Sequence, residues 1–159
     1  MTVKNVLFVC TGNSCRSVMA EHFMRHVLER AGVSVEVTSA GVFAIEGMSS
    51  TRETVRVLQE VGLDCSAHRS RRLTMDLVEA ADLIFVMEQF QLDEVTRRFP
   101  STRDKVHLLK AYGVEPSQVA GHPNIPDPIG KPLEVYEVCF TDIREAVERV
   151  AGSMGLRSR

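Results

Sequence analysis

The hydrophobic pattern changes period across one short loop near the start of the chain, and no other feature constrains the fold so strongly. Val3-Lys4-Asn5-Val6-Leu7-Phe8-Val9 reads as a buried strand, because its apolar and β-branched residues run together instead of recurring at helical intervals. From Ser17 to Leu28 the apolar residues fall at helical spacing, with Ser17 and Glu21 near the start. Only Cys10-Thr11-Gly12-Asn13-Ser14-Cys15-Arg16 separates the two patterns. The chain therefore opens as strand, tight loop and helix.

The alternation continues. Residues 33–39 read as a second strand, 50–61 as a helix stopped by Gly62, and 73–80 as a short helix. Residues 82–87 form a third, buried strand, followed by a helix over 89–99, a fourth strand over 106–109 and a long closing helix over 135–154. That order predicts an α/β fold: a parallel sheet with helices on both faces and right-handed crossovers. A length of 159 residues suits one domain and is ample for a core. With no internal repeat, low-complexity tract or dividing linker, residues 1–159 are expected to form a single domain.

The loop itself is suited to an anion. A helix amino terminus offers unpaired N–H groups and the positive end of its dipole. Gly12 and Asn13 tolerate left-handed backbone angles, which lets successive N–H groups turn inward as a nest. Arg16 can grip two phosphate oxygens at once, which Lys cannot do. The same positive field favours a thiolate at Cys10, which makes that residue a nucleophile at neutral pH. Ser17 has two readings, a hydrogen-bond donor to that thiolate or the cap of the helix. Cys15 also has two, a resolving thiol for an oxidised Cys10 or a small buried residue at the helix start. Cys65 and Cys139 read as core or idle thiols.

Val9-Cys10-Thr11-Gly12-Asn13-Ser14-Cys15-Arg16-Ser17, followed by Met19-Ala20-Glu21, resembles the Cys-x5-Arg-Ser signature of the low-molecular-weight protein tyrosine phosphatases. Val18 stands where that family usually has proline, in a first helical turn where proline is favoured but dispensable. A second segment, Pro123-Asn124-Ile125-Pro126-Asp127-Pro128-Ile129-Gly130, resembles the loop that carries the family's general acid. Without the resemblance, Asp127 between prolines would read as a turn residue. The resemblance implies catalysis by Cys10, Arg16 and Asp127 through a phosphocysteine, with no metal and no other cofactor. It implies a three-layer sandwich of the phosphotyrosine protein phosphatase I type, around a four-stranded parallel sheet of order 2-1-3-4. The Cys10 loop would then lie at the carboxyl edge, where open α/β sheets bind ligands. The resemblance also places His68 behind the loop, acting through Asn13 and Ser39. On its own, a lone histidine in a polar turn reads as solvent-facing, and His22 and His26 read as surface residues.

Substrate choice turns on Thr11. Tyrosine-directed members usually carry a bulky aliphatic residue there, whereas Thr11, together with Ser39-Ala40-Gly41-Val42-Phe43-Ala44, resembles the protein arginine phosphatase branch. A hydroxyl can bond to a guanidinium nitrogen or orient the hydrolytic water, while a large aliphatic group would crowd a P–N linked guanidinium. The alternative is that Thr11 caps the loop backbone. Ile129 replaces the aromatic wall common to both branches and removes ring stacking. Gly130 again fits the arginine-directed pattern. Thr11, Gly12, Asn13, Ser14, Cys15, Ser17 and Ile129 are the expected substrate-binding residues. Phosphoarginine in proteins is the favoured substrate, with phosphotyrosine as the alternative. An arsenate reductase would need two further cysteines around the third strand, and none lies between Cys65 and Cys139. A non-catalytic phosphate-binding module would not need both Cys10 and Asp127.

The formal net charge of -2 argues against a general nucleic-acid binder, which presents a strongly basic face. Arg69, Arg71 and Arg72 read as a solvated turn. Four cysteines with no leading signal and no long apolar span point to a reducing cytoplasm and to no membrane attachment. The expected partner is a phosphorylated protein substrate. The oligomeric state is left open, with a monomer as the working expectation.

Overall fold

A computed structural model describes residues 2–119 and 122–154. Residues 1, 120, 121 and 155–159, which the single-domain reading also takes in, lie outside the described residues. In chain order the elements are β1 (Asn5–Cys10), α1 (Arg16–Ala31), β2 (Glu36–Gly41), α2 (Arg52–Gln59), α3 (Met75–Ala80), β3 (Leu83–Val86), α4 (Gln89–Arg98), β4 (Val106–Leu108) and α5 (Leu133–Ser153). Short 3₁₀ turns occupy Pro100–Thr102 and Pro116–Gln118.

The strands pair in the order β2-β1-β3-β4, and every pairing is parallel. The fold class therefore agrees with the sequence pattern. Side chains of β1 alternate between two apolar layers, as the two-residue strand period requires. Val6, Phe8 and Cys10 face α1 and α5, while Leu7 and Val9 join Ile84, Val86, Val78 and Val95 on the α3 and α4 side. Burying both faces explains why β1 and β3 read as unbroken apolar runs.

Element ends differ from the pattern where local bonds decide them. The second strand starts at Glu36 and continues to Gly41, because ladder pairing begins at Asn5↔Glu36 and ends at Cys10↔Gly41. Val33 and Val35 instead pack at the margin of the core. The short third helix begins at Met75, since Thr74 caps it by accepting from the Leu77 N–H at 3.3 Å. The last helix begins at Leu133, directly after Pro132. Gly62 adopts φ 79° just past α2 and ends it as expected.

The carboxyl ends of β1 and β3 lie side by side, with Val9 paired to Val86. Everything that follows β1 and β3 therefore converges on one edge of the sheet. At that edge β2 leaves on Gly41, and a Cβ there would sit 2.5 Å from the Thr11 carbonyl oxygen. Only glycine lets β2 pass so close to the loop.

Candidate active site

Cys10 is the last residue of β1, and the loop after it turns through Asn13, whose φ is 56°. A left-handed residue with a Cβ carries a conformational cost of about 1 kcal/mol, which hydrogen bonds must offset. Asn13 makes them in four directions. Its Nδ2 donates to Ser17 Oγ at 2.8 Å and to Ser39 Oγ at 2.9 Å, and its Oδ1 accepts from the Arg71 backbone N–H at 3.0 Å. Its carbonyl lies 3.1 Å from His68 Nε2. The loop is thus held from α1, from β2 and from the 68–71 segment.

Proton directions follow from this network. Ser39 accepts from Asn13 and donates to Glu21 Oε1 at 2.6 Å, and Glu21 in turn meets Arg25 Nη2 at 2.7 Å. Ser17 also accepts from Asn13, and its Oγ stands 2.9 Å from Cys10 Sγ, so its proton is available to that sulfur as a thiolate. Ser17 is not the helix cap. Cys15 holds that position, with φ -132° and ψ -86°, and makes no side-chain capping bond.

Arg16 is the largest fully buried side chain, at 1% exposure. Its Nη1 donates to Glu88 Oε1 and to the Ile125 carbonyl at 2.7 Å. Its Nη2 stands 3.6 Å from Asp127 Oδ2, and its buried Nε has no partner among the described residues. One edge of the guanidinium is therefore anchored in protein, while the Nε–Nη2 edge is left for two oxygens of a ligand. Burial weighs against the Arg16 charge. Cys10, Glu88 and Asp127 together outweigh that penalty and hold its pKa above the ordinary guanidinium value.

Asp127 belongs to a loop pinned to the end of β3. Buried Ile125 donates its N–H to the Met87 carbonyl at 2.8 Å, and Asn124 Oδ1 accepts from the Gln89 N–H at 2.9 Å. Asp127 Oδ1 accepts from the Ile129 N–H at 3.1 Å, which fixes the carboxyl against its own turn. Its side chain is 39% exposed, so it can meet a solvent-borne ligand. A cavity of about 270 Å³ opens over Cys10, lined by the loop residues Thr11, Gly12 and Ser14 and by Asp127 and Ile129. Ile129 is 55% exposed at its mouth.

His68 is half-buried, and so is His22, whose ring meets it edge-on at 6.0 Å. His22 and His26 are therefore not plain surface residues: the first hydrogen-bonds the Val18 carbonyl at 3.0 Å and the second lies 6.3 Å from the Phe23 ring. Burial lowers the His68 pKa, and the Asn13 carbonyl and Glu21 offset this only in part. Neutral His68 thus carries its proton on Nε2, where the Asn13 carbonyl accepts it. Cys15 Sγ lies 3.5 Å from Thr51 Oγ1 and 3.8 Å from the Tyr136 hydroxyl. All four cysteines are free, and burial pushes the Cys139 thiol up to about 12, in keeping with a core position.

The structure gathers the expected site residues at one edge of the sheet, but Asn13 and Ser17, expected to bind substrate, are fully buried and do not line the cavity over Cys10. It adds several that single positions did not announce: Glu88 on Arg16, Glu21 on Ser39, the Arg71 N–H on Asn13, and Gln91. Thr11 does not cap the loop backbone; its Oγ1 accepts from Gln91 Nε2 at 3.1 Å. The only local signal for Glu88 and Gln91 was their spacing of three before an apolar run, the pattern of a capping box. That pattern says nothing about Arg16 or Thr11.

Similarity to known proteins matches this geometry. A protein-arginine-phosphatase of Bacillus subtilis (strain 168) is 35% identical over 147 residues, covering 92% of this chain and 94% of the relative. The low molecular weight protein-tyrosine-phosphatase Ptp of Acinetobacter johnsonii is 33% identical over 128 residues, 80% and 82% of the two chains. The solved structure of a YwlE arginine phosphatase mutant with a phosphorylated active site serine superposes with a TM-score of 0.86 at 34% identity, covering 94% of this chain and 95% of that one. Residues 5–157 match the family described as low molecular weight phosphotyrosine protein phosphatase, and the chain belongs to that family.

Proposed function

We propose that this phosphatase releases phosphate from arginine side chains of proteins, with Cys10 as the nucleophile and Asp127 as the acid and base. The observation that carries the reading is Ser17 Oγ at 2.9 Å from Cys10 Sγ beside buried Arg16, whose Nε has no partner among the described residues. A hydroxyl faces the sulfur, and the guanidinium presents a free edge to an oxyanion. In the first step a Cys10 S–P bond forms as the P–N bond breaks, and the Asp127 carboxyl passes its proton to the departing nitrogen. In the second step water attacks phosphorus and gives a proton to Asp127, and the S–P bond breaks, returning its electron pair to sulfur. Arg16 and the loop amides stabilise charge on the equatorial oxygens throughout. The relative whose active site serine is phosphorylated supports a covalent route.

Small hydroxyl side chains at Thr11 and Ser14 support the arginine-directed choice. Neither crowds a branched guanidinium as a large aliphatic group would. Ile129 offers an aliphatic wall where an aromatic leaving group would be better served by a ring. Phosphotyrosine is the second reading, favoured by relatives named for that activity. The deciding experiment measures kcat/KM on phosphoarginine and phosphotyrosine peptides for the parent, Thr11→Ile and Ser14→Ile. A parent that prefers phosphoarginine, with the ratio inverted in a variant, supports the reading; equal or tyrosine-favouring ratios in the parent overturn it. Cys10→Ser should abolish turnover, and Asp127→Ala should slow it most for poor leaving groups.

The same reading treats residues 1–159 as one catalytic domain acting as a monomer in the cytoplasm on a phosphorylated protein, without nucleic acid, membrane, metal or cofactor. Four free cysteines support a reducing compartment. Among the described residues, no helix is long and apolar enough to cross a membrane.

A further inference from the structure

One fully buried amide reaches the loop from the far side of the sheet. Gln91 on α4 is 0% exposed and donates from Nε2 to Thr11 Oγ1 at 3.1 Å. Its Oε1 accepts the backbone N–H groups of Met87 at 2.8 Å and of Glu88 at 3.0 Å. Two backbone donors leave no choice of amide orientation: oxygen must face them, so nitrogen must face Thr11. A threonine hydroxyl has one proton and two lone pairs. Once the Gln91 N–H occupies a lone pair, the Thr11 proton points away from Gln91, and no other side chain among the described residues bonds it. Thr11 lines the cavity over Cys10.

We infer that Gln91 is a positioning residue that fixes the polarity of the Thr11 hydroxyl, making it a hydrogen-bond donor to the phosphoryl group held over Cys10. This rests on the phosphatase reading above and deepens it. Phosphoryl oxygens only accept, so a hydroxyl locked as a donor stabilises the transferring group without turning during the reaction. A freely rotating hydroxyl would lose part of that benefit to reorganisation. The same amide holds the Glu88 N–H, so one side chain ties the residue next to the nucleophile to the turn that anchors Arg16.

Gln91→Glu separates polarity from shape. The introduced carboxylate keeps the oxygen facing Met87 and Glu88 but accepts from Thr11, drawing its proton out of the cavity. We expect kcat/KM on phosphoarginine peptide to fall about tenfold, the size of one lost hydrogen bond to a charged group. The inhibition constant of inorganic phosphate should rise in step. Thr11→Val should show a similar loss, Thr11→Ser should retain activity, and Gln91→Glu combined with Thr11→Val should be no worse than either alone. Relative to the parent at each pH, Gln91→Glu should recover as the carboxyl protonates and again donates to Thr11, a response that a purely structural role would not produce. If Gln91→Glu does not fold, Gln91→Met in the same cycle removes the donor at similar volume. Losses that multiply in the double variant overturn the inference, as does parent-like kcat/KM in Gln91→Glu with Thr11→Val impaired. Neither result touches the phosphatase reading, which falls only if parent Cys10 is never phosphorylated during turnover.

Discussion

Arg16 and Glu88 are 72 residues apart in sequence, yet they form an ion pair beneath the loop at the carboxyl edge of the sheet. Glu88 leaves the end of β3, and Arg16 opens the helix that follows β1, so the parallel pairing of those strands makes the contact possible. Glu88→Ala strands a buried guanidinium. Its unfolding free energy should drop by about 3 kcal/mol in urea titration. Its kcat/KM should drop by about a hundredfold, because Arg16 loses its anchored edge. Parent-like values on both counts would remove Glu88 from the site.

Asn13 combines a left-handed backbone with bonds to Ser17, Ser39 and Arg71. Asn13→Ala loses both and should cost about 3 kcal/mol of stability. Asn13→Gly keeps the backbone freedom and should be less costly by about 1 kcal/mol. Thermal unfolding of the two variants separates backbone from side chain, and equal losses would mean that φ carries no penalty here.

Ser17→Ala removes the hydroxyl that stands 2.9 Å from Cys10 Sγ and can donate to a thiolate there. A sulfur without that donor is a poorer leaving group in phosphocysteine hydrolysis. Rapid-quench kinetics with an aryl phosphate should show a burst of product followed by steady turnover slowed about tenfold. A slowed burst with an unchanged steady state would place the proton in the first step instead.

His68 gives stability a pH dependence of defined sign. Burial lowers its folded pKa below the ordinary value of about 6.5, so the unfolded chain takes up the proton first as pH falls. The contribution of the neutral ring is present above about pH 6.5 and is lost as pH drops through and below it. Glu21 faces the ring with opposite charge, while Arg71 and His22 add to the penalty for protonation. His107, also lowered by burial, adds a second loss of the same sign. Urea midpoints measured from pH 7 to pH 5 should fall less steeply in His68→Asn than in the parent. An identical slope would show that His68 titrates as it does in the unfolded chain.

Local chemistry was readable along the chain because it depends on neighbours. The strand, loop and helix at Cys10–Arg16, the Gly62 stop and the alternation that gives a parallel α/β sheet all arise from spacings of a few residues. Asp127 was visible only through likeness to a family, since an aspartate between prolines has no local mark of an acid. Strand and helix ends moved by one to three residues wherever ladder register or a cap, such as Glu36 against Asn5 or Thr74 on Leu77, set the limit.

The amino-acid sequence by itself determined the candidate nucleophile Cys10, the candidate phosphate-binding Arg16, the turn between them and the layered architecture. Tertiary structure alone decided which way protons point and what holds each group: Glu88 and the Ile125 carbonyl on Arg16, Ser39 and His68 around Asn13, Gln91 on Thr11. Those contacts join residues 26 to 109 positions apart. They exist because the sheet gathers the ends of β1, β2 and β3 at one edge, and no periodicity within a single segment encodes that meeting.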